Sequence, residues 1–288
     1  MFEITPHHDF LVGIDSDGCA FDTMEVKHKE CFIPNIINHY NLAGVSKYAR
    51  EAAEFVNLYS KSRGINRFPA LIEALDWLRE RPEVRARGVE IRVLHALSDW
   101  IGRETKLANP ALEAAVKASG NADLKQALAW SKAVNETIEQ IVRAVPPFPH
   151  VRECLAKLAE RADLFVVSAT PNEALCREWE EHDLAKYVHA ICGQEIGTKK
   201  ESLANAKKYP PHHTLMIGDA PGDHQAAKAN DALFYPINPG AEDASWQRLY
   251  DEGIDRFLAG TFAGAYQDKL LAEFDTYLPD KPPWIKKG

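Results

Sequence analysis

FLVGIDSDG, residues 10–18, decides how the rest of the chain is read. Its five apolar residues, Phe10 to Ile14, run without polar interruption, as in a strand buried on both faces of a parallel sheet. The run stops at Asp15 and the chain is free to turn at Gly18, so a buried strand opens into a polar loop. Similar apolar runs recur at 164–167 (LFVV), 188–192 (VHAIC), 214–217 (TLMI) and 232–237 (ALFYPI), each bounded by polar, Gly or Pro residues. Helical patterns fall between several of them, at 151–161, 200–208 and 223–229. Strands alternating with helices predict an α/β fold with an open, Rossmann-like, mostly parallel sheet. Ligands of such sheets sit beyond the carboxyl ends of the strands.

Residues 23–145 follow another pattern. Strand-like runs are absent; Leu71, Leu75 and Leu78 share a helical face, as do Ile91, Leu94 and Leu97, and 122–145 is a long amphipathic stretch. Pro146-Pro147-Phe148-Pro149 ends it. The expected organisation is an α/β core from 1–22 and 146–288, interrupted by an all-helical domain at 23–145. The tail from 241 onward ends in the Pro-rich PDKPPW and carries no recognisable chemistry.

Composition narrows the function classes. The 34 Lys and Arg against 42 Asp and Glu give a net charge of −8, which disfavours nucleic acid and anionic membranes in the absence of a basic patch, and none is evident. No apolar run approaches the ~20 residues of a membrane-spanning helix, and the first ten residues lack a signal-peptide layout, so the expected location is the cytoplasm. Five scattered cysteines without a CxxC pair read as reduced thiols, most of them packed as small hydrophobes.

Three strand ends carry chemistry. Asp15 and Asp17 can be aimed at one pocket by a loop opening at Gly18, one as nucleophile and the other as general acid/base; the same string is also an ordinary turn. Ser168 follows an apolar run, and its hydroxyl and the nearby backbone N–H of Ala169 suit a phosphate oxygen; it also suits a helix N-cap, with Pro171 and Glu173 following. Asp219 and Asp223 follow the run ending at Gly218 and suit Mg²⁺, while Asp223 also suits a helix cap. Lys199 and Lys200 alone read as a solvated surface pair.

The order of these elements, DSDG at 15–18, SATP at 168–171, Lys199 and GDAPGD at 218–223, resembles the haloacid-dehalogenase-like superfamily of phosphohydrolases. PFPHV at 147–151 is similar to the segment with which many members return from cap to core, and Phe21-Asp22-Thr23 to the stretch after their first motif. The resemblance implies that Asp15 attacks phosphorus, Asp17 is the general acid/base, Ser168 holds a phosphoryl oxygen and Lys199, or else Lys200, neutralises charge. It implies Mg²⁺ on the Asp15 carboxylate, the Asp17 backbone carbonyl and Asp219, with Asp223 orienting the set. Asp at 17 favours phosphate esters over the halide and phosphonate chemistries of the superfamily, and Cys19 stands where many relatives have Thr.

The helical insertion sits where the superfamily's C1 caps sit and is expected to choose the leaving group. Within it Arg63 and Arg67 share a face if helical, and with Asn66 they could grip a second anionic group; solvated arginines at a helix end are the plainer reading. The histidine pairs His7-His8 and His212-His213 lack helical metal-ligand spacing and receive no role. The expected function is a Mg²⁺-dependent phosphatase of a small phosphorylated metabolite. A phosphomutase using the same aspartyl-phosphate, and a non-catalytic binding protein of the same fold, are the alternatives.

Overall fold

In a computed structural model that describes residues 3–285, five parallel strands form one sheet. They are β1 (Phe10–Ile14), β2 (Ala162–Val167), β3 (Ala190–Cys192), β4 (Thr214–Gly218) and β5 (Leu233–Pro236), in the spatial order β3-β2-β1-β4-β5. The first strand to be made is therefore the central one, with Val12 opposite Leu164 on one side and Leu215 on the other. Every residue of β1, β2, β4 and β5 is buried, which is why these segments lack strand-like alternation. Helices Val151–Ala159, Asn172–Glu181 and Pro221–Lys228 connect the strands. The expectation of a parallel α/β core holds.

Internal contacts divide the chain into two compact units. One contains the chain through Met24 and Ala144–Leu278; the other contains Glu25–Arg143 and the chain from Pro279. The α/β unit has an apolar layer on each sheet face, one including Val12, Val166, Trp179 and Trp246, the other Leu11, Phe165, Met216 and Phe234.

The second unit is helical throughout. Its longest helices are Ser46–Leu58, Arg67–Glu80, Asn109–Ser119 and Ala122–Ile141, packed around Phe55, Phe68, Leu75, Trp100, Leu128 and Trp130. Here the helical reading of 91–97 is corrected. Ile91 and Leu94 are buried but lie in non-helical chain before the helix His95–Arg103, because Arg79 captures the carbonyls of Ile91 (3.1 Å) and Arg92 (3.0 Å). Tail residue Trp284 packs within this unit, its ring 3.7 Å from the Arg81 guanidinium and edge-on to Phe55. Among the described residues no helix is long and apolar enough to cross a membrane, and all five cysteines are free thiols.

Candidate active site

Parallel strands end on one edge, so residues far apart in sequence meet there. Asp15 follows β1, Ser168 follows β2, Lys199 opens the short helix Lys199–Ser202 after β3, and Asp219 follows β4. Lys199 Nζ lies 2.7 Å from Asp15 Oδ2 and 2.6 Å from Asp223 Oδ1. Its place is fixed by a capping box, in which Thr198 accepts from Glu201 N and Glu201 accepts from Thr198 N. Lys200 is exposed and makes no such pair, which separates the two lysines.

Asp15, Asp219 and Asp223 are all buried, with carboxylate oxygens within 4.8 Å of one another. Asp223 sits in the first turn of Pro221–Lys228, where its Oδ2 accepts from Ala220 N at 3.1 Å. Gly218 makes this approach feasible, because a Cβ there would lie 2.5 Å from Cβ and Cγ of Asp223. Capping and charge relay through Lys199 are thus the same side chain at work.

The electrostatics follow from three carboxylates sharing one ammonium. Burial drives the Asp15 carboxyl well above its ordinary range; Lys199 pulls it down, and Asp223 and Asp219 push it further up. Burial alone would weaken the Lys199 ammonium, but Asp15 and Asp223 outweigh it and keep the group protonated. The Cys19 thiol is buried beside the same carboxylates, and burial followed by Asp219, Asp15 and Asp223 holds it neutral; its Sγ donates to Ile217 O at 3.7 Å. An oxygen-only, anionic, buried donor set with too few cations fits Mg²⁺.

Asp17 is outside this cluster. Its Oδ1 accepts from the Thr23 hydroxyl and its Oδ2 from the Thr170 hydroxyl at 2.5 Å. Both threonines lie within the quoted stretches Phe21-Asp22-Thr23 and SATP without a role of their own there, and for Thr170 a hydroxyl pairing across 153 positions leaves no local pattern to find. Ser168 is buried and accepts from Thr170 N at 3.1 Å, whereas the helix Asn172–Glu181 has Pro171 at its N-cap without a side-chain cap; Ser168 is therefore not the cap. Ala169 beside it is exposed. Ser16, between the two aspartates, accepts from Trp179 Nε1 at 3.0 Å and donates to Glu178 at 3.3 Å, which braces the loop from behind.

The three residues chosen in the helical unit separate. Arg63 and Arg67 do not share a helical face: residues 61–64 form a turn, Gly64 has φ 79°, and the helix begins only at Arg67. Arg63 is 3% exposed and turns inward to the carbonyl of Leu58 at 2.9 Å. Asn66 is spent as the N-cap, accepting from Phe68 N and donating to Leu107 O. Arg67 reaches Ser131 and Asn135.

A second group with metal-ligand atoms, His8, Asp163 and His189, lies at the start of the strands, with His8 Nδ1 3.0 Å and His189 Nε2 3.5 Å from Asp163 Oδ1. Leu164 N donates to His189 Nδ1 at 3.3 Å, so Nε2 carries the ring proton of the neutral imidazole and points it at Asp163. That arrangement is a hydrogen-bonded pin.

Fold and site together define an α/β protein whose sheet edge gathers a carboxylate–lysine centre. Residues 103–235 match the model of the haloacid dehalogenase-like hydrolases, a span that takes in β2 to β5 and stops short of β1 and Asp15. Over that span the chain is similar to the haloacid dehalogenase-like hydrolases. No curated protein matches the sequence. Among solved structures, a candidate phosphoglycolate phosphatase from Lactobacillus delbrueckii subsp. bulgaricus is similar at 16% identity, over 85% of this chain and 92% of that one, with TM-score 0.47. A haloacid dehalogenase-like family hydrolase from Streptococcus pneumoniae is 10% identical over 83% and 90%, TM-score 0.47. A candidate β-phosphoglucomutase from Thermotoga maritima is 15% identical over 79% and 84%, TM-score 0.38.

Proposed function

We propose that the protein is a Mg²⁺-dependent phosphatase that hydrolyses a small phosphorylated metabolite through an aspartyl-phosphate on Asp15. The observation that carries this reading is the buried Asp15–Lys199–Asp223 arrangement beside Asp219. A phosphate dianion is repelled by a carboxylate nucleophile unless cations offset the charge, and Lys199 supplies one at 2.7 Å from the attacking group. Asp15 and Asp219, with the Asp17 backbone carbonyl, would hold Mg²⁺, and Asp223 would orient Lys199 and the donor set. The ion when bound supplies the remaining positive charge and keeps Asp15 ionised.

Asp15 Oδ1 accepts from Ser16 N at 2.8 Å and Oδ2 from Lys199, which fixes the carboxylate plane. Ser168 has its Oγ–H available for a phosphoryl oxygen, since Oγ itself accepts from Thr170 N. Asp17 would protonate the leaving oxygen and then take a proton from water, with Thr170 and Thr23 holding its two oxygens until it acts. The enzyme is read as cytoplasmic, acting on a free metabolite.

Phosphate release from p-nitrophenyl phosphate and a metabolite panel, with Mg²⁺ or with chelator, tests the reading. Asp15→Asn is expected to remove turnover by at least ~10³-fold while the far-ultraviolet spectrum stays unchanged. Turnover persisting in Asp15→Asn would refute the nucleophile. Full activity in chelator would refute the metal.

A further inference from the structure

Thr170 bridges two groups that the proposed chemistry uses separately. Its hydroxyl donates to Asp17 Oδ2 at 2.5 Å, and its backbone N–H donates to Ser168 Oγ at 3.1 Å. One residue of the α/β unit thus sets the acid/base carboxylate and the serine hydroxyl relative to each other. Of the two Asp17 oxygens, Oδ1 faces Thr23, which is fully buried, and Oδ2 faces Thr170, which is half-buried. Oδ2 is therefore the oxygen on the accessible side.

Thr170 is in turn held through its backbone. Gln194 N donates to Thr170 O at 3.0 Å, Gly193 N donates to Asn172 Oδ1 at 3.0 Å, and Ser168 N donates to Cys192 O at 3.0 Å, so the loop after β3 is stapled along 168–172. Gly193 permits the approach, because a Cβ there would lie 2.8 Å from the Thr170 carbonyl oxygen and 2.7 Å from Asn172 N. With its N–H and C=O both used, Thr170 keeps only the side-chain torsion, which the bond to Asp17 fixes. A hydroxyl suits this place for a chemical reason. It donates to a carboxylate and can turn to accept from a carboxylic acid, so it keeps Asp17 in one place before and after a proton moves; a donor-only group could hold only the carboxylate.

We infer that Thr170 is a positioning residue for leaving-group protonation: it holds Asp17 Oδ2 at a fixed place relative to a phosphate gripped by Ser168, so that the proton reaches the ester oxygen. In that step the bond between phosphorus and the ester oxygen breaks as Asp15 bonds to phosphorus. The electron pair of the broken bond stays on the ester oxygen, and the Asp17 proton neutralises it. The inference rests on the phosphatase reading. A misplaced acid costs most where the leaving oxygen is strongly basic and least where it departs readily as an anion.

Phenyl phosphate and p-nitrophenyl phosphate test this, because they are similar in shape while the phenolate is much the more basic leaving group. Their kcat/KM values report binding through the first phosphoryl transfer and exclude the later hydrolysis of the aspartyl-phosphate. Thr170→Val, which keeps the shape and deletes the hydroxyl, is expected to lower kcat/KM about 10- to 100-fold on phenyl phosphate and at least about fivefold less on p-nitrophenyl phosphate. Thr170→Ser is expected to restore the ratio between the two esters. Thr170→Ala replaces Thr170→Val if the melting midpoint shows that the latter does not fold. A purely structural loss would lower both esters alike. Equal losses on both, or Thr170→Ser behaving as Thr170→Val, overturns the inference and leaves the phosphatase reading standing. No phosphate release by the wild type from either ester or from the metabolite panel overturns the phosphatase reading, and the inference with it.

Discussion

The two ends of the same sheet handle buried carboxylates in opposite ways. At the carboxyl end Asp15, Asp219 and Asp223 are in excess over their cation, Lys199. At the amino end donors are in excess over one carboxylate, Asp163: Oδ2 accepts from His7 N (2.8 Å), His8 N (3.1 Å) and the Tyr209 hydroxyl (2.7 Å), and Oδ1 faces the His8 and His189 rings. Burial acts against both. At Asp163 the donors outweigh it and hold the carboxyl below its ordinary value; at Asp15 burial and like charges prevail and the carboxyl stays well above. A satisfied carboxylate ties strand starts together, whereas an under-compensated set is left with affinity for something cationic. That difference, more than the presence of aspartate, is what distinguishes the proposed reactive end from the structural one.

Removing Lys199 attacks the contrast most directly. Lys199→Met leaves three buried carboxylates with no ammonium, and a loss of about 3 kcal/mol of stability is expected without Mg²⁺. The sign with pH follows from Asp15. Without its lowering partner the folded-state value rises further above the unfolded one, so its stabilising contribution is present at low pH and lost as pH rises through the folded value. The deficit should therefore be larger at pH 8 than at pH 5, and Mg²⁺ should recover part of it at pH 8. A deficit independent of pH and Mg²⁺ in thermal melts would mean that charge compensation is not what Lys199 provides.

Gly218→Ala is the next largest. A Cβ 2.5 Å from Asp223 must displace that side chain, which breaks its 2.6 Å contact with Lys199 without deleting any charge. The expected cost is about 1–3 kcal/mol with a fall in kcat. Unchanged turnover with an unchanged melt would show that Asp223 can move freely, and the close approach at Gly218 would lose its meaning.

Which parts of this were legible in the sequence follows from the same physics. Strands β1, β2 and β4 are buried on both faces and end in polar residues, so an apolar run followed by Asp or Ser marks each strand end that contributes to the proposed site. Lys199 had no such marker: a Lys pair before a short helix looks like any surface, and only the order of motifs resembling a known family singled it out. Asp163 gives no signal in the sequence because a charge ends an apolar run, which there begins at Leu164; in the fold its partners arrive from ahead of β1 and from Tyr209, invisible to any local window. The pairing of Arg63 with Arg67 failed for a local reason. Gly64 in the left-handed region and Asn66 as N-cap let the helix begin only at Arg67, so Arg63 lies outside it and helical spacing does not apply.

The smallest effect on turnover is expected at the opposite end. Asp163→Asn keeps the shape, but its amide N–H₂ replaces one acceptor oxygen, so either the Oδ2 bonds from His7, His8 and Tyr209 or the Oδ1 contact of the His189 ring N–H is lost. About 1–3 kcal/mol of stability at neutral pH is the expected cost. Because the folded-state carboxyl lies below its ordinary value of 3.8, the contribution is present above that value and disappears as pH falls through the lower, folded one. Wild type and variant melts should therefore converge toward pH 3 and stay parallel from pH 5 to 8. Turnover should hardly change, since the length of β2 separates Asp163 from Ser168 and the carboxylate centre, about 16 Å along the strand. A large loss of kcat in a well-folded Asp163→Asn protein would break the comparison at its root, because the pinned end would then be setting the geometry of the reactive one.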